Sequence, residues 1–512
     1  MTKSKRINKL LVLILAVSLT LMPLLVSCTD EYKGGNNSSE PSSSSSPSQT
    51  EDSSTESSEA DVIEDSVPKS LKFEGETVTI LVRDKEIFRM EYGTEEIDDS
   101  SLNALLIERT KKVEERLGIK VKTVVQQTDP GTYWPVNFNQ KVMNSILSGD
   151  PGYDIISFYA YYGVLLGSDD YLLNLYDLPH LDFSKPWWNQ DYINEITINN
   201  KLYFITGDAC LTSTHYTFAT FFNKNLVERW YSGINLYEVV DNGKWTIDYL
   251  MMLVKDTYDD LDGDGLKSDG DFYGAYIPTA SEPLDAFFMG GNLKITTKNF
   301  NGLPELSFYN DKSIKFFEKM YDLLFETGGI MAGHYTGESI ELAQQKFIDG
   351  ETVFLVSNLS TSEKLRDVKF TYGILPIPKL EESQDDYYTC AADLYSILSV
   401  PACVPTKRYE LIGATMEIMA AESYKIVTPG YFYKTVKYGY MDDEDDLRMY
   451  DIILGGTVYN FGVVHSISID DVQHLVRTVL DGRSKNFTSA YEAKADAVKE
   501  KLDKLLEIYK NK

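Results

Sequence analysis

Residues Asp260 to Asp271 carry carboxylates at alternate positions, Asp260, Asp262 and Asp264. Gly265 follows at the sixth place, Leu266 at the seventh, Ser268 at the ninth and Asp271 at the twelfth. This is the spacing of an EF-hand loop. Hard oxygens converge on one Ca²⁺, a glycine makes the sharp turn, and a backbone carbonyl serves at the seventh place. A standard loop ends in Glu, which reaches further than Asp271, so a modest affinity is expected. The expected cofactor is a structural Ca²⁺ held by Asp260, Asp262, Asp264, Leu266, Ser268 and Asp271. The competing reading is an acidic loop of Asx turns without metal. Catalysis is not expected here, because coordination uses every ligand.

No other motif carries reaction chemistry. The chain has no Gly-x-Ser-x-Gly, no His-Glu-x-x-His and no Walker A loop. Its five histidines are isolated in sequence. No catalytic residue is assigned and the chain is not read as an enzyme. Carboxylates are abundant enough to hide a glycosidase pair, so a cell-surface glycoside-acting enzyme is the main alternative. A ligand sensor or adhesin is the other.

The N-terminus defines a compartment. Lys3, Lys5, Arg6 and Lys9 precede the apolar run Leu10–Leu25, which closes on Leu25-Val26-Ser27-Cys28. This is a secretory signal over 1–27. The run is shorter than the roughly 20 residues that span a bilayer and contains Pro23. Its ending resembles the lipobox of bacterial lipoproteins, a resemblance that makes Cys28 the diacylated mature N-terminus. Two acyl chains hold a protein stably where one is marginal. Residues 28–70 are rich in Ser, Gly and Pro and offer little to bury, so a disordered tether is expected, with a reach of roughly 35 Å.

The whole chain has a net charge of −29, and loss of the basic signal makes the body more acidic still. Such a surface repels nucleic acid and anionic lipid. Cys210, Cys390 and Cys403 form neither a disulfide framework nor a zinc ribbon. One long-range pair or three free thiols both fit. There are 35 tyrosines, whose apolar rings and polar tips suit wet clefts and core edges alike.

The elements that must position these residues follow from periodicity. Thr77–Val82, Ile119–Val125 and Asp154–Phe158 read as strands. Leu102–Leu117 and Val136–Leu147 read as amphipathic helices, the second stopped by Gly149-Asp150-Pro151-Gly152. Strands alternating with helices predict a parallel α/β sheet. Thr246 is a good N-cap with Asp248 in the first turn, so Trp245 marks a helix start and belongs to the core. Helices are also expected over Asp442–Leu454 and Ser489–Tyr509. About 440 residues after the tether need more than one core.

Seven segments, in order, resemble family 1 extracellular solute-binding proteins of ABC importers. They are LSGDPGYDIISF (147–158), LLNLYDLPHLDFSKPWWN (172–189), NNKLYFITGD (199–208), FFNKNLVE (221–228), GKWTIDYLMMLVK (243–255), QQKFIDGETVFL (344–355) and YGILPIPK (372–379). From Asp393 onward the resemblance is less diagnostic. It implies an α/β, two-lobe periplasmic-binding-protein-like (type II) fold with an interlobe cleft and extra C-terminal helices. Lobe 1 would span 71–205 plus about 389–440, and lobe 2 would span 206–388 plus about 441–512. The implied protein is a monomer on the extracellular face of the membrane. It would bind a sugar or oligosaccharide and deliver it to an ABC permease.

Clefts and the carboxyl ends of strands place ligands. The expected ligand contacts are therefore Tyr159, Tyr161 and Tyr162 after a first-lobe strand, one of the Trp187–Trp188 pair (Trp188), and Asp208 and Tyr216 at the first crossing. Asp285 and Phe287 in a turn, Asn358 after the Thr352–Val356 strand, and Tyr388 and Asp393 at the return complete the set. Aromatic faces stack on sugar rings, and Asp and Asn bond hydroxyls.

Overall fold

A computed structural model describes residues 63–97, 101–127, 136–149, 152–168, 171–279, 282–333, 339–431 and 444–510. Cys28, the signal and most of the expected tether lie outside them. The described body begins at Ile63, ahead of the expected boundary at Leu71. Val67 is the reason. Its side chain is 4% exposed in the first-lobe core, and its carbonyl accepts from Arg116 Nη2 at 2.9 Å.

The first lobe opens with β1 (Thr77–Arg83), α1 (Ser101–Leu117), β2 (Lys120–Gln126), α2 (Val136–Leu147) and β3 (Ile155–Tyr159). β1 pairs in parallel with β2 from Thr77↔Lys120 to Arg83↔Gln126, and with β3 at Ile80↔Ile155. All five residues of β3 are buried, as a central strand between helical layers requires.

The chain then crosses to the second lobe and lays down β4 (Phe218–Asn223), α3 (Ile247–Val254) and β5 (Tyr258–Asp259). Next come β6 (Phe272–Pro278), α4 (Pro283–Gly290), β7 (Ile330–Gly333), β8 (Thr352–Asn358) and β9 (Tyr372–Leu375). The sheet order is β9-β4-β8-β6-β5, with β7 paired to β6. As expected, the Thr246 hydroxyl caps α3 at Tyr249 N (3.1 Å). Trp245 is fully buried, its indole donating to the Pro376 carbonyl at 2.9 Å.

The chain returns as β10 (Ser396–Ser399), antiparallel to β3 (Ser396↔Tyr159). β4 is likewise antiparallel to β8 and β9. Each sheet is therefore mixed, not purely parallel as the strand–helix alternation suggested. The crossing strands enter each sheet from the other lobe and so run against its internal strands. The crossings are stitched by the pairs Ile205↔Leu398 and Thr217↔Ala391, and a third segment joins at Thr389↔Thr457.

Helices α5 (Tyr409–Glu422), α6 (Glu444–Gly455), α7 (His474–Asp481) and α8 (Phe487–Lys510) follow. α5 packs on α1 of the first lobe, α6 on β9 of the second, and α7 on α4. The three body cysteines are free thiols, with Cys210 and Cys390 buried. No helix among the described residues is long and apolar enough to cross a membrane.

Candidate functional site

β3 ends at Tyr159, and a short helical turn, Ala160–Gly163, carries Tyr161 and Tyr162. The three rings cluster, with centroids 5.4 Å apart for Tyr159–Tyr162 and 4.9 Å for Tyr161–Tyr162. Tyr159 donates its hydroxyl proton to Asp393 Oδ1 at 3.0 Å. Asp393 belongs to the returning crossing, so this bond ties β3 to the junction of the lobes. The Arg83 guanidinium lies 3.3 Å over Phe88, and its Nη2 donates to the Leu394 carbonyl at 2.9 Å.

From the second lobe, α4 starts with Pro283 in its first turn, just after Glu282, and presents Asp285. From the C-terminal region, α7 presents His474 and Arg477, three residues apart on one helix face. Arg477 Nε donates to the two Asp285 oxygens at 3.2 and 3.0 Å, and Nη2 adds a further close contact. The Tyr161 hydroxyl donates to Asp471, and the Tyr161 ring stacks on His474 at 5.5 Å.

Beside these groups lies a cavity of about 30 Å³, lined by Tyr161, Glu282, Asp285, Asp393, Tyr395, Tyr459 and Gln473 and by apolar residues such as Phe218, Val458, Val463 and Val464. That is roughly twice what one water needs, so a sugar ring enters only when the lobes part. Burial, then Glu282, pushes the Asp393 carboxyl up to about 7. Burial, then Arg477, lowers the His474 imidazole. The site offers hydrogen-bond acceptors and aromatic faces to a ligand.

Of the expected contacts, Tyr161, Asp285 and Asp393 line this cavity, with Tyr159 and Tyr162 packed against Tyr161. The others go elsewhere. Trp188 is 1% exposed, with its indole donating to Glu417 Oε2 at 2.9 Å; like Trp187 it is first-lobe core, not a stacking platform. Phe287 is fully buried, because the expected turn is the interior of α4 and residues two apart on a helix face different ways. Asp208 accepts from Thr428 Oγ1 at 2.5 Å, and burial pushes it up to about 7. Asn358 accepts from Ser360 at 2.5 Å, and Tyr216 packs on His215. Neither they nor Tyr388 line the cavity.

Glu282, Tyr395, Tyr459, Gln473, His474 and Arg477 escaped the sequence reading. The polar His474–Arg477 pair, in a helix whose Leu475, Val476, Val479 and Leu480 are buried, was the available signal.

In the acidic loop, Asp260, Asp262 and Asp264 bring one carboxylate oxygen each within 4.8 Å of one another. Asp260 accepts from the Gly263 and Gly265 amides at 2.7 and 2.9 Å. Gly265 has φ +77°, which a side chain would strain. Asp271 stands apart from this trio. It is fully buried and accepts from Leu261 N (3.2 Å), Ser268 N (2.9 Å) and Tyr258 Oη (3.1 Å). Leu266 is exposed, and the Ser268 hydroxyl accepts from Gly270 N at 3.0 Å.

Two α/β lobes, stitched crossings and an enclosed cavity at their junction define a two-lobe binding protein. The chain belongs to the bacterial extracellular solute-binding protein family, whose profile matches residues 93–407. Comparison with curated proteins yields no match. The fold is similar to an ABC substrate-binding protein from Listeria monocytogenes in complex with cycloalternan (TM-score 0.51, 14% identity, 86% of this chain and 100% of that one). It is also similar to a cyclo/maltodextrin-binding protein complexed with maltotetraose (0.53, 10%, 86% and 97%). A third is the GacH receptor of Streptomyces glaucescens, solved unliganded and with acarbose (0.51, 15%, 86% and 100%).

Proposed function

We propose that this protein is the lipid-anchored capture component of an ABC importer, which takes a carbohydrate between its lobes and hands it to a membrane permease. The supporting observation is the junction cavity, where tyrosines of the first lobe meet carboxylates of the second lobe and of the return crossing. A ligand touching all three favours the closed arrangement by its differential contacts. Cys28 and the Ser-rich segment support tethering, which raises the effective concentration at the permease. The protein performs no chemistry on its ligand. Thermal-shift screening of oligosaccharides, peptides and polyamines tests the ligand class: a shift with sugars supports it, and a shift only with peptides or polyamines rejects it. Sustained turnover of an oligosaccharide would reject the non-catalytic reading. Cys28→Ala should release a ligand-binding protein to the medium and abolish uptake.

The Asp260–Asp271 loop binds a structural Ca²⁺ in this reading, supported by its spacing and its three converging carboxylates. Asp260, Asp262 and Asp264 would hold the ion, with the Leu266 carbonyl and Ser268 completing the set. Asp271 is committed to loop amides and makes the site weak. Chelation should lower the melting temperature and Ca²⁺ should restore it; an unchanged value rejects the site.

A further inference from the structure

Among the described residues, acidic side chains outnumber basic ones at the junction cavity. Glu282, Asp285 and Asp393 line it, and Asp471 meets Tyr161 at its edge. Among the described residues Arg477 reaches them, and its hydrogen bonds go to Asp285. Arg83 is turned to Phe88 and the Leu394 carbonyl. Asp393 accepts one hydroxyl, from Tyr159. The Glu282 carboxylate has no hydrogen-bond partner among the described residues.

Neutral polar groups without a protein partner among the described residues stand in the same wall. Gln473 is 6% exposed, and its side-chain amide has no partner among the described residues. The hydroxyls of Tyr395 and Tyr459, 4% and 6% exposed, are in the same condition. A ligand in the cavity can pair them.

A neutral hydroxyl can donate to Glu282, but it leaves that charge in place. An ammonium donates and neutralises, through hydrogen bonds roughly twice as strong as neutral ones. The neighbouring tyrosine rings favour a cation further. We propose that the cleft selects an aminated sugar, with its protonated amine on Glu282 and its hydroxyls on Asp393, Gln473, Tyr395 and Tyr459. This rests on the carbohydrate reading above and narrows it.

Calorimetry on the mature chain at pH 6 tests it. Glucosamine oligosaccharides are compared with cello-oligosaccharides of the same length, where a hydroxyl replaces each amine, and with spermidine. The expected result is binding about tenfold or more tighter for the aminated sugar, with that ratio collapsing toward one in Glu282→Gln. Circular dichroism checks that the variant folds, and the ratio is its own control for general damage. Equal or tighter binding of the cello-oligosaccharide overturns the amine inference and leaves the carbohydrate reading standing. Binding of spermidine alone, or of none of the three together with no sugar hit in the wider screen, overturns both.

Discussion

Asp393 gathers the site's physical tensions in one side chain. It sits on the return crossing, accepts from Tyr159, and is pushed by burial and Glu282 from the ordinary 3.8 up to about 7. A carboxyl raised on folding favours the protonated form. Its contribution to stability is complete below pH about 4 and is lost as pH rises through about 7. Asp393→Asn should therefore be more stable than wild type at pH 8, with the advantage gone near pH 4. Urea unfolding at the two pH values reads this directly. At pH 8, where the carboxyl is ionised, the same substitution removes a charged acceptor and should weaken ligand binding by roughly 10- to 100-fold, the value of about 1.5–3 kcal/mol. Asp393 was legible in sequence because it follows a crossing. Trp188 and Phe287 were not, because one aromatic among many carries no sign of which way it points. Burial decided both.

The elements are held in place by enclosed ionic contacts that no periodicity reveals. Glu91, fully buried, accepts from Thr212 N (2.9 Å) and Thr212 Oγ1 (2.8 Å) on the first crossing and from Ser396 Oγ (2.7 Å) on β10. One carboxylate thus clamps two interlobe segments. Glu91→Ala strands these donors and should cost about 2–4 kcal/mol in denaturant unfolding. Arg477 does similar work between α7 and α4. Arg477→Ala leaves Asp285 enclosed and unpaired, at about 3–5 kcal/mol. The strands and helices themselves were legible: β1 to β3, the Thr246 cap and α8 all follow from alternation, capping residues and apolar stripes. Strand direction was not. β10 runs antiparallel because of where the chain has been, and that is a property of topology.

At the scale of the whole molecule, two lobes share three stitched segments and close on a site too small for a ring. Binding then requires opening, and ligand should draw the lobes together. Small-angle scattering should show a smaller radius of gyration in the presence of a saturating sugar. The two-lobe plan was legible from seven ordered segments, whereas the C-terminal contribution was not. Gln473, His474 and Arg477 come from a region without a diagnostic pattern, and only folding brings them beside Tyr161 and Asp285. The most direct test of capture between the lobes is calorimetric titration of an oligosaccharide panel into wild type and Tyr161→Ala. The account predicts saturable one-to-one binding by wild type and a loss of about tenfold or more in the variant. Sugar binding that Tyr161→Ala leaves unchanged, or no sugar binding by wild type, would contradict it.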